Sequence, residues 1–376
     1  MKIFYIFTFN YSLQTWKDSG SLAREITFFN KLIKDFDCEI TLLTYGDKND
    51  FKYIKDLEKI NVIPMFSNFR KPKSKLALIL YSFIFPIYLI IKKEYSDFDI
   101  IKFNQLSGCW VGILLKIFTR KPLYIRTGYD TYLFSIKENK NLLKRYSFFL
   151  LTKLALIFSN LYSVSSLSDY KYLTQNNKYV KRKIVLRPNW VLYDNKFNEV
   201  IEKDSETIFS VGRLESQKNY IYLVDEFKNY KFKIRLIGSG SEKKLLTDKA
   251  NSYNLDFQII ENMDFFQLQK FYKLYKFFIL PSFFEGNPKV LLEAMANGCV
   301  VFASNIDNHR EIIEHGINGF LFNLESNNLL NLFNSVSKNE LLCNKVSSNA
   351  QNTIKNNYSL DKITNSYYED FSKLTK

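Results

Sequence analysis

The chain has 376 residues, 46% of them hydrophobic and 24% charged, with 53 Lys and Arg against 38 Asp and Glu. That length calls for two domains of about 150–200 residues rather than one core, and the composition excludes a disordered or fibrous chain. Four scattered cysteines (Cys38, Cys109, Cys299, Cys343) and two histidines (His309, His315) exclude a disulfide scaffold and argue against a zinc cluster.

Met1-Lys2 is followed by IFYIFTF, which is short and lacks a small-residue cleavage site. It reads as a first buried strand, 2–8, and not as a signal peptide. A helix over 19–35 and a strand over 39–44 follow. The longest apolar run is 76–91, sixteen residues with Pro86 inside, Lys71, Lys73 and Lys75 before it and Lys92 and Lys93 after it. Spanning a bilayer takes roughly 20 residues. A buried core helix, a helix dipping into one leaflet and a true span all stay open for this run. Flanking lysines, with Tyr81 and Tyr88 inside, suit the interfacial form. Next come a strand at 99–103, a helix at 108–118, a strand at 123–126, a helix at 142–160 and a strand at 161–164.

The second half repeats the plan. Strands are expected at 207–211, 232–237, 257–260, 277–280, 300–303 and 320–322, and helices at 220–227, 241–251, 265–275 and 289–296. Strands alternating with helices predict an α/β chain with parallel, doubly wound sheets. The junction is expected within 187–205, where Pro188, Asn189, Asp204 and Ser205 interrupt the periodicity. A last helix, 360–374, carries Tyr367, Tyr368 and Phe371 and has no strand after it, so it is expected to pack back on the first domain.

Charge is unevenly placed. Residues 1–190 hold 31 Lys and Arg against 15 Asp and Glu, and the remainder 22 against 23. Such asymmetry implies a polyanionic surface or ligand facing the first half, whether anionic lipid, a pyrophosphate-linked acceptor or nucleic acid. A solvated basic face shaped by codon usage is the plainer alternative. The chain shows no recognition-helix or zinc pattern, which weighs against nucleic acid.

Three stretches can carry chemistry. In 281–297, Pro281 and Ser282 end an apolar strand, a loop holds Glu285, Gly286 and Asn287, Pro288 opens a helix, and Glu293 stands eight residues after Glu285. Amides of Asn287, Lys289 and Val290 at a helix N-terminus suit a phosphate. Glu293 lies among Leu291, Leu292, Ala294 and Met295, where an unpaired carboxylate is costly. Two ribose hydroxyls would satisfy it, as would a basic neighbour or solvent. In 211–219, Gly212 lets the chain turn close to a ligand, and Arg213 and Lys218 can converge on an anion. A planar fork beside a point charge suits a diphosphate; two solvated loop cations are the alternative. The third stretch, Asp18-Ser19-Gly20-Ser21, is a small-residue turn opening a helix. It is not GxGxxG, and Gly46-Asp47 reads as a turn, which disfavours a dinucleotide-dependent oxidoreductase. Gly238-Ser239-Gly240 after a strand is a weak signal by itself.

Taken together and in order, these residues resemble the retaining glycosyltransferases of family 4, which have the GT-B fold of two Rossmann-like domains facing across a cleft. The family's EGxPxxxxEAMAxG signature stands here as Glu285-Gly286-Asn287-Pro288 through Glu293-Ala294-Met295-Ala296-Asn297-Gly298. Its GRLxxxKN stretch stands as Gly212-Arg213-Leu214 with Lys218-Asn219, and its LxGxG strand end as Leu236-Ile237-Gly238-Ser239-Gly240. Its closing segment looks like Glu311-Ile312-Ile313 through Gly316, Asn318 and Gly319. The resemblance implies an acceptor domain over 1–190, a nucleotide-sugar domain over 191–355 and a C-terminal helix, 356–376, crossing back.

By the same resemblance Arg213 and Lys218 bind the donor diphosphate, Glu285 lies beside the donor sugar at the reacting face, and these three form the catalytic set. Glu293 holds the ribose. Gly212, Gly286, Asn287, Pro288 and Lys289 complete the donor site, which Gly20 and Ser21 approach from the first domain. Neither a metal nor another cofactor is expected. Two departures stand out. Gly128 falls where many members carry a His, which leaves Arg126 and Asp130 as acceptor-side candidates. Val300-Val301 replaces the usual Pro-Val.

The expected activity is transfer of a sugar, with retention, from a nucleoside-diphosphate sugar to a hydroxyl of a glycan or lipid-linked glycan. The expected setting is lipopolysaccharide, O-antigen, capsule or other cell-surface polysaccharide synthesis. The basic first half and the apolar run imply a cytoplasmic protein resting on the anionic inner face of the membrane. Another GT-B enzyme, such as a sugar-nucleotide epimerase or a phosphorylase, is the main alternative. A basic nucleic-acid-binding protein is the weaker one.

Overall fold

The computed structural model describes residues 1–92, 97–193, 202–261 and 263–376. Lys93 and part of the expected junction, 194–201, lie outside the described residues. The chain forms two units, Met1–Arg187 with Thr364–Lys376, and Pro188–Ile363.

Among the described residues, the first unit holds a seven-stranded sheet. Its strands are β1 (Lys2–Ile6), β2 (Glu39–Thr44), β3 (Ile60–Pro64), β4 (Ile100–Asn104), β5 (Leu123–Thr127), β6 (Leu161–Val164) and β7 (Ile184–Leu186). The order is β3-β2-β1-β4-β5-β6-β7, and every pairing is parallel. Helices cover both faces of such a sheet, so its strands read as continuous apolar runs. Ile3, Phe4, Tyr5 and Ile6 of β1 are all buried.

Two of these strands are absent from the expected elements. Strand β3 lies at the sheet edge, where Asn61 interrupts the apolar run and Pro64 closes it; a proline is tolerated at such an edge. Strand β7 has only three residues. The helix expected over 19–35 is Leu22–Phe36, and a short helix outside the expected elements, Leu13–Asp18, precedes it. Gly20, at φ 71°, forms the break between them, a conformation that glycine adopts without steric cost.

The last helix, Leu360–Thr375, belongs to the first unit from Thr364 onward. Tyr367 meets Phe28 edge-on at 5.4 Å, Tyr368 stacks on Phe36 at 4.0 Å, and Phe371 meets Tyr124 at 5.4 Å. Arg187 donates to both oxygens of Asp370, at 2.8 and 2.6 Å. Aromatic packing and a two-pronged ion pair therefore hold this helix to its unit.

The second unit contains β8 (Asp204–Val211), β9 (Lys233–Ile237), β10 (Phe257–Ile260), β11 (Tyr275–Leu280), β12 (Val300–Ser304) and β13 (Phe320–Phe322). Its described sheet is also parallel throughout, in the order β10-β9-β8-β11-β12-β13. The two units are thus Rossmann-like, the α/β architecture expected of a GT-B chain. The strand order reverses between β8 and β11. Open α/β sheets bind ligands outside the carboxyl ends of the strands at such a reversal. In this unit that place is formed by the loops that follow Val211 and Leu280.

Candidate functional site

The loops after β8 and β11 carry most of the residues singled out by sequence, and hydrogen bonds join them. Phe283 N donates to Gln217 O at 2.9 Å, and Gln217 Nε2 donates to Phe284 O at 2.8 Å. Arg213 Nη2 donates to Gln217 Oε1 at 2.8 Å. At the centre, Lys218 Nζ donates to Glu285 Oε1 at 2.5 Å, and Ser282 Oγ donates to the same oxygen at 2.7 Å. Lys218 and Glu285 are both buried, whereas Arg213 is exposed.

Burial alone would raise the Glu285 pKa. The charges of Lys218 and His309 and the bonds from Lys218 and Ser282 outweigh it and hold the carboxyl below its usual range. Glu285 is therefore an ionised acceptor at neutral pH, with no proton to give.

The glycines explain why the loops come so close. Gly238 has φ 151°, and a Cβ there would stand 1.9 Å from Gly212 O. A Cβ on Gly240 would stand 2.3 Å from Leu214 O. The Gly238-Ser239-Gly240 turn therefore lies directly on the Gly212–Leu214 backbone, with Leu214 N donating to Ser239 O at 2.8 Å. In this structure the glycines serve contact between two backbones, and through it they position Arg213.

The helix Lys289–Ala296 follows the second loop, with Pro288 at its N-cap. From Leu291 to Ala296 every residue is buried, Glu293 included. Tyr272 Oη donates to Glu293 Oε2 at 3.1 Å, so one expected cost of a buried carboxylate is met by a phenol. Asn287 is tied to the start of the unit. Its Oδ1 accepts from Asn189 N at 2.8 Å, and its carbonyl accepts from Asn189 Nδ2 at 2.6 Å. Gly286 is buried in the same loop.

The remaining candidates belong to the first unit. Gly20 forms the helix break, and Ser21 begins the following helix with its hydroxyl 2.9 Å from that of Ser19. Arg126, next to last in β5, is half-buried; burial lowers its pKa, and Tyr367, Tyr124, Glu25 and Tyr5 together outweigh that and raise it. Asp130 caps the helix Thr131–Lys137 through Oδ1, which accepts from Leu133 N at 2.7 Å. Its other oxygen has no hydrogen-bond partner among the described residues, and burial raises its pKa. Gly128 N donates to Gln105 Oε1 at 3.3 Å.

Sequence reasoning passed over His309. Its Nδ1 donates to Ser304 O at 2.8 Å, at the end of β12, and Ser304 Oγ donates to Ser282 O at 2.5 Å. His309 thus adjoins the carboxyl side of the Lys218–Glu285 pair. It is fully buried, and its Nε2 has no hydrogen-bond partner among the described residues. Burial, opposed by Glu285 and the Ser304 carbonyl and aided by Lys218, lowers its pKa from 6.5 to about 4.

The folded state therefore binds this proton less readily than the unfolded chain, so stability falls as pH drops from about 6.5 towards about 4. The swing is on the order of 3 kcal/mol. His309→Gln should flatten this part of the pH profile of denaturant unfolding; an unchanged slope would remove His309 as its source.

Comparison with known proteins finds glycosyltransferases. An uncharacterized glycosyltransferase of Haemophilus influenzae is 31% identical over 151 residues, 39% of this chain and 41% of that protein. The Escherichia coli UDP-Gal:alpha-D-GlcNAc-diphosphoundecaprenol alpha-1,3-galactosyltransferase is 27% identical over 183 residues, 45% of this chain and 47% of that protein. The chain thus spans less than half the length of either curated relative. The solved sucrose-phosphate synthase of Thermosynechococcus elongatus is 16% identical with a TM-score of 0.81, covering 100% of this chain and 99% of that one, which is a likeness of fold. The stretch that holds Gly212, Arg213, Lys218, Glu285 and Glu293 is also the one that a family model identifies, for residues 193–353 match Glycosyl transferases group 1.

Proposed function

We propose that the chain is a retaining glycosyltransferase of the family 4 type, moving a sugar from a nucleoside-diphosphate sugar to a hydroxyl of a glycan or lipid-linked glycan. The observation that carries this reading is the buried Lys218–Glu285 pair beside exposed Arg213, at the carboxyl ends of β8 and β11. The bond from the anomeric carbon to the diphosphate oxygen breaks, and its electrons stay on the diphosphate. Arg213 and Lys218 offset the charge that develops there. The acceptor oxygen bonds to the anomeric carbon on the face the diphosphate leaves, and its proton passes to the departing diphosphate. Glu293 takes the ribose hydroxyls, and the first-turn amides of the helix at Lys289 face the phosphates. Glu285, held ionised by Lys218, accepts from sugar hydroxyls and does not act as a hydrolase acid.

The Escherichia coli relative's name specifies UDP-Gal and a diphosphoundecaprenol-linked sugar, which supports a lipid-linked acceptor here. A role in cell-surface polysaccharide synthesis, peripheral to the inner face of the membrane, follows from that acceptor and from the basic first half. Product analysis by NMR tests the reaction. With an α-linked nucleoside-diphosphate sugar and a lipid-linked glycan, the new glycosidic bond should be α. A β product, or an epimerised donor formed without acceptor, would contradict the reading.

A further inference from the structure

The helix Lys75–Ile91 is apolar on two opposite sides. Leu78, Ser82, Phe85 and Leu89 recur at helical spacing and are buried in the first unit. Leu76, Leu80, Ile84, Ile87 and Ile91 recur on the other side and are exposed, Leu76 by 68% and Ile84 by 61%. The helix Leu142–Phe158 repeats this arrangement. Thr152, Ala155 and Leu156 face inward, while Leu143, Tyr146, Leu150, Leu154 and Ile157 form an outer stripe, Leu143 exposed by 79%. The helix Cys109–Thr119 packs against both and leaves Ile117 and Phe118 exposed.

A surface helix ordinarily turns charge outward, and exposed apolar stripes on helices packed together mark an interaction site. None of the three helices contains an Asp or Glu. Their borders carry Lys71, Lys73, Lys75, Lys92, Arg120 and Lys121, and the helix Leu142–Phe158 carries Lys144, Arg145 and Lys153. A second copy would set this basic border against itself, because a two-fold interface pairs the same patch with itself. Anionic headgroups complement it.

Seventeen residues make a helix of about 25 Å, short of the roughly 30 Å hydrocarbon core. No described helix is long and apolar enough to cross a membrane.

We propose that this three-helix face is a docking surface for an anionic lipid bilayer. Its outer stripes enter the boundary between headgroups and acyl chains, and its lysines and arginines meet the headgroups. The inference rests on the membrane-peripheral part of the reading above and not on the chemistry of the second unit.

The full chain should cosediment with phosphatidylglycerol-containing vesicles at low salt and at least about tenfold less with phosphatidylcholine vesicles. The double substitution Ile84→Glu with Leu150→Glu, both at exposed positions, should lower anionic-vesicle binding by at least about tenfold with little change in melting temperature. Leu76→Ser with Leu143→Ser is a milder second variant that should act in the same direction. Equal binding to both vesicle types, no binding at low salt, or unaltered binding by both variants would overturn the proposal. So would a vesicle-free dimer that the variants dissolve. Nucleotide-sugar binding measured on the same samples separates the two readings. A wild type that binds donor but no vesicles sinks only the docking surface, and one that binds vesicles but no donor sinks only the transferase.

Discussion

Lys218→Ala should lower donor turnover by about 10²–10³-fold, the usual consequence of removing one charge that stabilises a developing oxyanion. It should also destabilise the protein by about 3–5 kcal/mol, because Glu285 would remain buried without its cation. The two effects have separate causes and can be separated. Replacing both partners by apolar residues of similar size removes the stranded charge, so Lys218→Met with Glu285→Leu should recover much of the lost stability. Turnover should stay at the level of the single variant or below. Urea unfolding with an unchanged slope checks the first statement, and steady-state donor turnover checks the second. Recovery of both stability and turnover would make the ion pair purely structural.

Much of this architecture is legible in the sequence because parallel strands buried on two faces are written as short apolar runs. The strands 39–44, 161–164, 257–260 and 320–322 and the helix 289–296 have the same bounds in the structure as in the sequence reading. Elements whose signal is weak or whose cause is distant are not. Strand β3 mixes Asn61 and Pro64 into an edge position, and β7 is three residues long. The expected helix begins at Ser19, yet Gly20 stands at a positive φ and the helix starts at Leu22. The helices Thr131–Lys137, Leu167–Asn176, Asn328–Ser337 and Glu340–Asn357 were also outside the expected elements.

The candidate site divides in the same way. Arg213, Lys218, Glu285 and Glu293 stand out because charged residues beside glycines, or inside an apolar helix, demand a partner. The identity of those partners is tertiary. Tyr272 reaches Glu293 from another helix, and Asn189 reaches Asn287 across 98 positions. His309 carries no local signal, since its placement depends on the Ser304 carbonyl at the end of β12. The Gly238-Ser239-Gly240 turn is a weak signal in sequence, and in the structure it makes a backbone-on-backbone contact with Gly212–Leu214.

Glu293 is where the donor assignment is most exposed to test. A carboxylate accepting from two ribose hydroxyls contributes two charge-assisted hydrogen bonds, each worth about 1.5–3 kcal/mol. Losing them should weaken nucleotide binding by at least on the order of 100-fold. The side chain is buried in a helix, so a thermal melt must first show that Glu293→Ala remains folded. Calorimetric titration of UDP-, GDP- and ADP-sugars into the wild type and Glu293→Ala then decides the matter. The account predicts that the wild type binds at least one of these donors and that folded Glu293→Ala binds it on the order of 100-fold more weakly. Absence of binding by the wild type to every donor, or equal affinity in the two proteins, would contradict it.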